Sequence, residues 1–161
     1  NLKAMAQTLI LLQEKGLLNE DALDQRIAEL DTKFHESLAV VKDLETRMAN
    51  NQTLRRYAAS YKQYRPLAQK RNAAKSPATF EEQHRAELTA YRAAAAYFKA
   101  NNTTKLPSPK KLEAERAQLA SEKAKFYEQY KEAKEELLKL KTAKQNVASF
   151  FREEEQTQQE R

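Results

Sequence analysis

The chain has 161 residues, a net charge of +6, 32% charged residues, a single glycine and no cysteine. That composition excludes a disulfide framework, a thiolate site and a glycine-rich phosphate loop. It also argues against sheet, because strands need turn residues every ten or so positions and the chain lacks them. No apolar run is long enough to span a bilayer.

From the N-terminus, Leu2, Met5, Ala6, Leu9, Ile10 and Leu12 predict a first helix over about 2–15. Gly16 is placed for a left-handed C-cap, with Leu17 as the accompanying hydrophobic contact. Asn19 is a natural N-cap for a second helix, and Glu20 and Asp21 suit that helix's positive end. Leu23, Ile27, Leu30, Phe34, Ser37, Val41, Leu44 and Met48 then alternate steps of four and three, the signature of one helix face. The pattern weakens at Asn50, Asn51 and Gln52, where a bend is expected, and resumes through Leu54, Ala58 and Tyr61. This predicts a long helix over 19–64, ended by Pro66, which lacks an N–H and disfavours helix at Arg65.

A short helix over 67–75 comes next. Thr79 and Glu82 are spaced as a capping box that opens a helix over 79–100. A loop over 101–107 leads to Ser108 and Pro109, an N-cap followed by a first-turn proline. Two series step by seven through the last helix, predicted over 108–151. One is Leu112, Leu119, Phe126, Ala133, Leu140, Val147; the other is Arg116, Lys123, Tyr130, Leu137, Lys144, Phe151. At 1.5 Å per residue such a helix is about 65 Å long and needs a partner of similar length. The polar tail over 152–161 is expected to fray.

The two long stripes predict an all-α fold: an elongated helical bundle with a long antiparallel, coiled-coil-like helix pair and a small helical head. The stripe can be satisfied within one chain or in a homo-oligomer. One helical domain over 1–161 is expected. Because Asn1 is no initiator and the first residues already look helical, the chain reads as a fragment of a larger protein. The absence of cysteine fits a cytoplasmic setting.

Charge is unevenly spread. Between Glu45 and Glu81 there is no acidic residue, while Arg47, Arg55, Arg56, Lys62, Arg65, Lys70, Arg71 and Lys75 all fall there. Antiparallel pairing adds Lys105, Lys110 and Lys111, and gathers Glu20, Asp21, Asp24, Glu29 and Asp31 with Glu153, Glu154 and Glu155 elsewhere. Arg55, Arg56, Lys62, Arg65, Lys70 and Arg71 are the candidate nucleic-acid contacts. Cations neutralise phosphates, and the interleaved Tyr61 and Tyr64 are candidates to stack on unpaired bases. The competing reading is a solvated basic face whose tyrosines, Tyr57 included, belong to the core.

His35 and His84 are the two histidines, and they neighbour no carboxylates at metal-ligand spacing. No Ser-His-acid or Cys-His set can be drawn. The residues therefore predict a non-catalytic chain with no metal and no cofactor.

Several stretches, in order, resemble the C-terminal helical region of relaxases, the mobilisation proteins of Gram-positive plasmids and conjugative transposons. They are Tyr61-Lys-Gln-Tyr-Arg-Pro66, Phe80 with His84-Arg-Ala-Glu-Leu88 and Tyr91, and Lys105-Leu-Pro-Ser108 with Lys111-Leu112. Lys123, Tyr127-Glu-Gln-Tyr-Lys131 and Leu140-Lys-Thr-Ala-Lys-Gln-Asn-Val147 complete the set. The resemblance implies a DNA-nicking parent whose catalytic tyrosine and histidine cluster lie outside this sequence. It also implies a helical module that contacts transfer-origin DNA, relaxosome components or the coupling protein, without entering a membrane. The alternative is a generic coiled-coil scaffold with no nucleic-acid role.

Overall fold

In the computed structural model, residues 2–160 are described, and they form six helices with no strand among them. These are α1 (Leu2–Glu14), α2 (Glu20–Ala73), α3 (Pro77–Gln83), α4 (Arg85–Ala100), α5 (Pro109–Asn146) and α6 (Ala148–Gln159). The chain is an all-α helical bundle. The contacts separate into two compact units. Unit 1 holds the residues up to Asp43 and from Lys123 onward, and unit 2 holds Leu44–Glu122.

In unit 1 the heptad positions do what their spacing predicts. Leu12, Leu23, Leu30, Leu137, Leu140, Ala143, Val147 and Phe151 form one buried cluster, with Ile27 and Phe34 packed against it. Two cross-helix ion pairs, Asp24 with Lys144 and Arg26 with Glu136, flank that cluster. Phe34 stacks on Tyr130 at 5.1 Å between ring centroids. As numbers rise along α2 they fall along α5, so the pair is antiparallel here.

The turn from α1 into α2 is a Schellman cap. Gly16 has φ +69°, the Leu17 N–H donates to the Leu12 carbonyl at 2.7 Å, and the Gly16 N–H donates to Gln13 at 3.1 Å. Asn19 Oδ1 then accepts from the Ala22 N–H at 3.0 Å, the expected N-cap.

Unit 2 departs from expectation in several places. No break occurs at Pro66, which lies inside α2. A helical proline leaves the carbonyl four residues earlier without its donor. Pro66 and Lys62 are both exposed, so that carbonyl lies on the solvent side, where water can serve it. Contacts of Tyr61 with α4 and of Arg71 with α3 hold the helix on either side of the proline. Near Asn51 the helix runs on unbroken, and the amide there is buried and paired. Asn51 is 3% exposed; its Nδ2 donates to the Leu112 carbonyl at 3.0 Å, and its Oδ1 accepts from Arg55 Nε at 2.9 Å.

The helix expected over 79–100 begins earlier, at Pro77 with Ser76 as N-cap. Thr79 therefore opens no helix, and its hydroxyl meets that of Ser76 at 2.9 Å. That helix is also divided at His84 (φ −125°, ψ 29°). Glu81 forms an ion pair with Arg92. Eleven residues of unbroken helix would separate the two by about 16 Å, so the turn at His84 is what brings them together.

The last helix is divided too, at Val147, which is fully buried. Phe151 of the predicted stripe is buried in α6, and the tail expected to fray continues that helix to Gln159 with its side chains exposed; Arg161 lies outside the described residues. No described helix is long and apolar enough to cross a membrane.

Candidate nucleic-acid interface

Tyr57 and Tyr61 of α2 settle against α4 rather than facing outward. Tyr57 stacks on Tyr97 at 4.5 Å, and Tyr61 packs on Tyr91 at 5.1 Å and edge-on to Phe98 at 6.0 Å. Burial, then a hydrogen bond with Tyr61, raises the Tyr91 phenol above its ordinary pKa. Arg65 adds its guanidinium 6.0 Å from the Tyr61 ring centre. The Tyr61 ring is thus occupied by Tyr91, Phe98 and Arg65, and it is not the free stacking platform the spacing suggested. Tyr64 is half-buried and stands outside this aromatic stack.

The six candidate cations divide into two kinds. Arg55 and Arg71 are drawn into the fold. Arg55 bonds Asn51 and lies 3.7 Å from a carboxylate oxygen of Glu113. Arg71 pairs with Glu81 at 3.2 Å, and Glu81 also holds Arg92. Hydrogen bonds from Arg92, then from Arg71, depress the Glu81 pKa below 4.5. Arg56, Lys62, Arg65 and Lys70 remain exposed. The acid-free interval of sequence is therefore not acid-free in space, because Glu81 and Glu113 reach it from outside.

Two clefts open beside the connection between α4 and α5. The first, about 670 Å³, is lined by Tyr61, Arg65, Lys99, Thr103, Thr104 and Lys105 among others, and no carboxylate lines it. Sequence reading missed Lys99, Thr103 and Thr104. What aims them is a second Schellman cap, with Asn102 at φ +55°, the Thr103 N–H donating to Phe98 at 2.8 Å and the Asn102 N–H donating to Lys99 at 3.1 Å. An asparagine after the last turn of a helix is the available signal, since asparagine tolerates the left-handed region better than most residues.

The second cleft, about 360 Å³, is mostly apolar. Ala58, Ala59, Leu106, Pro107, Pro109 and Leu112 form its walls, with Arg55, Lys62 and Glu113 at polar positions. Leu106 lines both clefts. Glu113 is held chiefly by Arg116, at 2.6 Å, which depresses its pKa.

In unit 1, Glu20, Asp21, Glu154 and Glu155 line a polar hollow. Among the described residues, no group of three or more His, Cys, Asp or Glu side chains is placed to hold a metal. His84, in the turn between α3 and α4, packs its ring on Phe80 at 4.5 Å.

No protein-family model matches the chain, and no curated protein and no solved structure matches it.

Proposed function

We propose that this chain is a non-catalytic helical module that holds a nucleic-acid backbone through unit 2, within a DNA-transfer protein of the relaxase kind. The observation that carries the reading is the cationic cleft. Arg65, Lys99 and Lys105 converge there with two threonine hydroxyls and no carboxylate in the lining. Cations with hydroxyl donors suit phosphate oxygens, and Arg56, Lys62 and Lys70 extend the same charge along exposed α2. The relaxase context rests on the ordered sequence stretches between Tyr61 and Val147. It makes transfer-origin DNA the natural ligand, with relaxosome or coupling proteins as neighbours.

Labelled transfer-origin duplex and single strands, titrated at low and moderate salt, test this. Binding should weaken steeply with salt, with a log–log slope of about −3 to −5 for a handful of neutralised phosphates. Lys62→Glu, Arg65→Glu and Lys99→Glu together should abolish binding and leave helical content intact. The chain alone should not nick a supercoiled transfer-origin plasmid with magnesium or manganese. Absence of binding at low salt would overturn the reading.

A structural scaffold without a nucleic-acid role is the competing reading. In its favour, Arg55 and Arg71 are already engaged by Glu113 and Glu81.

A further inference from the structure

We infer that the two clefts of unit 2 act together on an unpaired strand, with phosphate in the cationic cleft and one base in the apolar cleft. This rests on the reading that unit 2 holds nucleic-acid backbone, and it adds which form is held and where the base goes.

The clefts adjoin. Leu106 belongs to both, and Lys62 of the apolar cleft precedes Arg65 of the cationic cleft by three residues on α2. That separation is about 4.5 Å along the helix axis, less than one turn. A ligand reaching both needs a flat apolar part and an anionic part in quick succession, which is the repeat of a nucleic-acid strand. In a duplex the bases are stacked and paired and only the backbone is offered. An unpaired base is free to turn out and seat on an apolar surface.

The apolar walls are suited to that seat. Pro107 and Pro109 have fixed φ, so the rim stands ready before a ligand arrives. Lys62 at the cleft favours an anionic ligand. Glu113, the one carboxylate in the lining, is paired with Arg116 and Arg55 and repels a phosphate less than a free carboxylate would. Tyr57 and Tyr61 are ruled out as the base platform because they already stack on Tyr97 and Tyr91, and Tyr64 lines neither cleft.

The experiment compares an oligothymidine strand with an abasic strand of the same length, the same phosphates and the same fluorophore. The thymidine strand should bind about tenfold more tightly. Ala59→Phe, at an exposed position on the cleft wall, should erase most of that difference, with circular dichroism verifying that the variant is folded. Equal binding of thymidine and abasic strands would overturn the inference while the backbone-holding reading stands. A difference that survives in Ala59→Phe would also overturn it, because the base would then sit elsewhere. Displacement of the thymidine strand by an acidic peptide with apolar residues, but not by free thymidine nucleotide, would assign the cleft to a protein partner instead. Failure of every nucleic acid to bind would remove the underlying reading and the inference with it.

Discussion

Unit 1 and unit 2 use the same two long helices for different ends. In unit 1 the core is mainly aliphatic: Leu12, Leu23, Leu140 and Val147 are fully buried, Phe34 and Tyr130 stack beside them, and charge appears as cross-helix pairs next to the core. In unit 2 the contact of α2 with α4 is aromatic and half-open. Tyr57, Tyr61, Tyr91 and Tyr97 stack in pairs without becoming fully buried, and cations stand around them. Aliphatic side chains stabilise by area and shape, so they tolerate little exposure. Tyrosines combine an apolar body with a polar tip and can border a solvent-filled cleft. The comparison teaches that a heptad stripe specifies burial and leaves open what surrounds it.

Breaking the aliphatic side should cost most. Leu140→Ala is expected to destabilise the chain by about 2–5 kcal/mol, through lost transfer energy and a residual cavity. Tyr97→Ala, at a half-buried stack, should cost less. Urea denaturation of both variants checks the order, and the comparison fails if Tyr97→Ala proves the more damaging.

Pro66→Ala sharpens the contrast from the other direction. Restoring an N–H at an exposed helical position should stabilise unit 2 by about 1–3 kcal/mol. A drop in stability would show that the proline is required for the helix path. Asn102→Ala should cost about 1 kcal/mol, because alanine lacks the short polar side chain that lets asparagine tolerate φ +55°, while Asn102→Gly should be close to neutral or slightly stabilising. Thermal melts of the pair measure this.

The smallest expected effect concerns charge. Glu81→Gln removes the carboxylate shared by Arg71 and Arg92, so nucleic-acid affinity should rise a few-fold and its salt dependence should steepen. The same substitution has a pH signature. A carboxylate with a depressed pKa in the folded state contributes stability above about 4.5, and loses it as pH falls through the lowered value. Wild type should therefore lose stability on acidification in that window, and Glu81→Gln should lose less.

Much of the fold was legible because spacing is a strong signal. The steps of three and four from Leu23 to Met48, and of seven from Leu112 to Val147, predict which residues are buried. Gly16 and Asn19 marked the first turn correctly because each serves a local backbone need. The misses share a cause as well. Pro66 disfavours helix locally, but contacts distant in sequence outweigh it. His84 and Val147 interrupt helices without carrying a breaker's chemistry, so no local rule identifies them. At the candidate site the exposed cations were legible as a run, whereas the carboxylates that partly neutralise them arrive from positions 81 and 113. Lys99 and the two threonines join the cleft through a turn that only the third dimension assembles.

The buried Asn51 has a consequence for assembly. Long heptad helices resemble themselves after a shift of seven residues, so alternative alignments of such a pair lie close in energy. A slip by one heptad would bring Leu44 or Ala58 opposite the Leu112 carbonyl and carry the Asn51 Nδ2 away from it, while Arg55, on the same helix, moves along with the Asn51 oxygen. An amide donor left dry and unpaired costs about 1–3 kcal/mol. One residue thus sets aside the nearest wrong alignments, and Asn51→Leu is expected to keep the helices while loosening their alignment, visible as doubled amide resonances around Leu112.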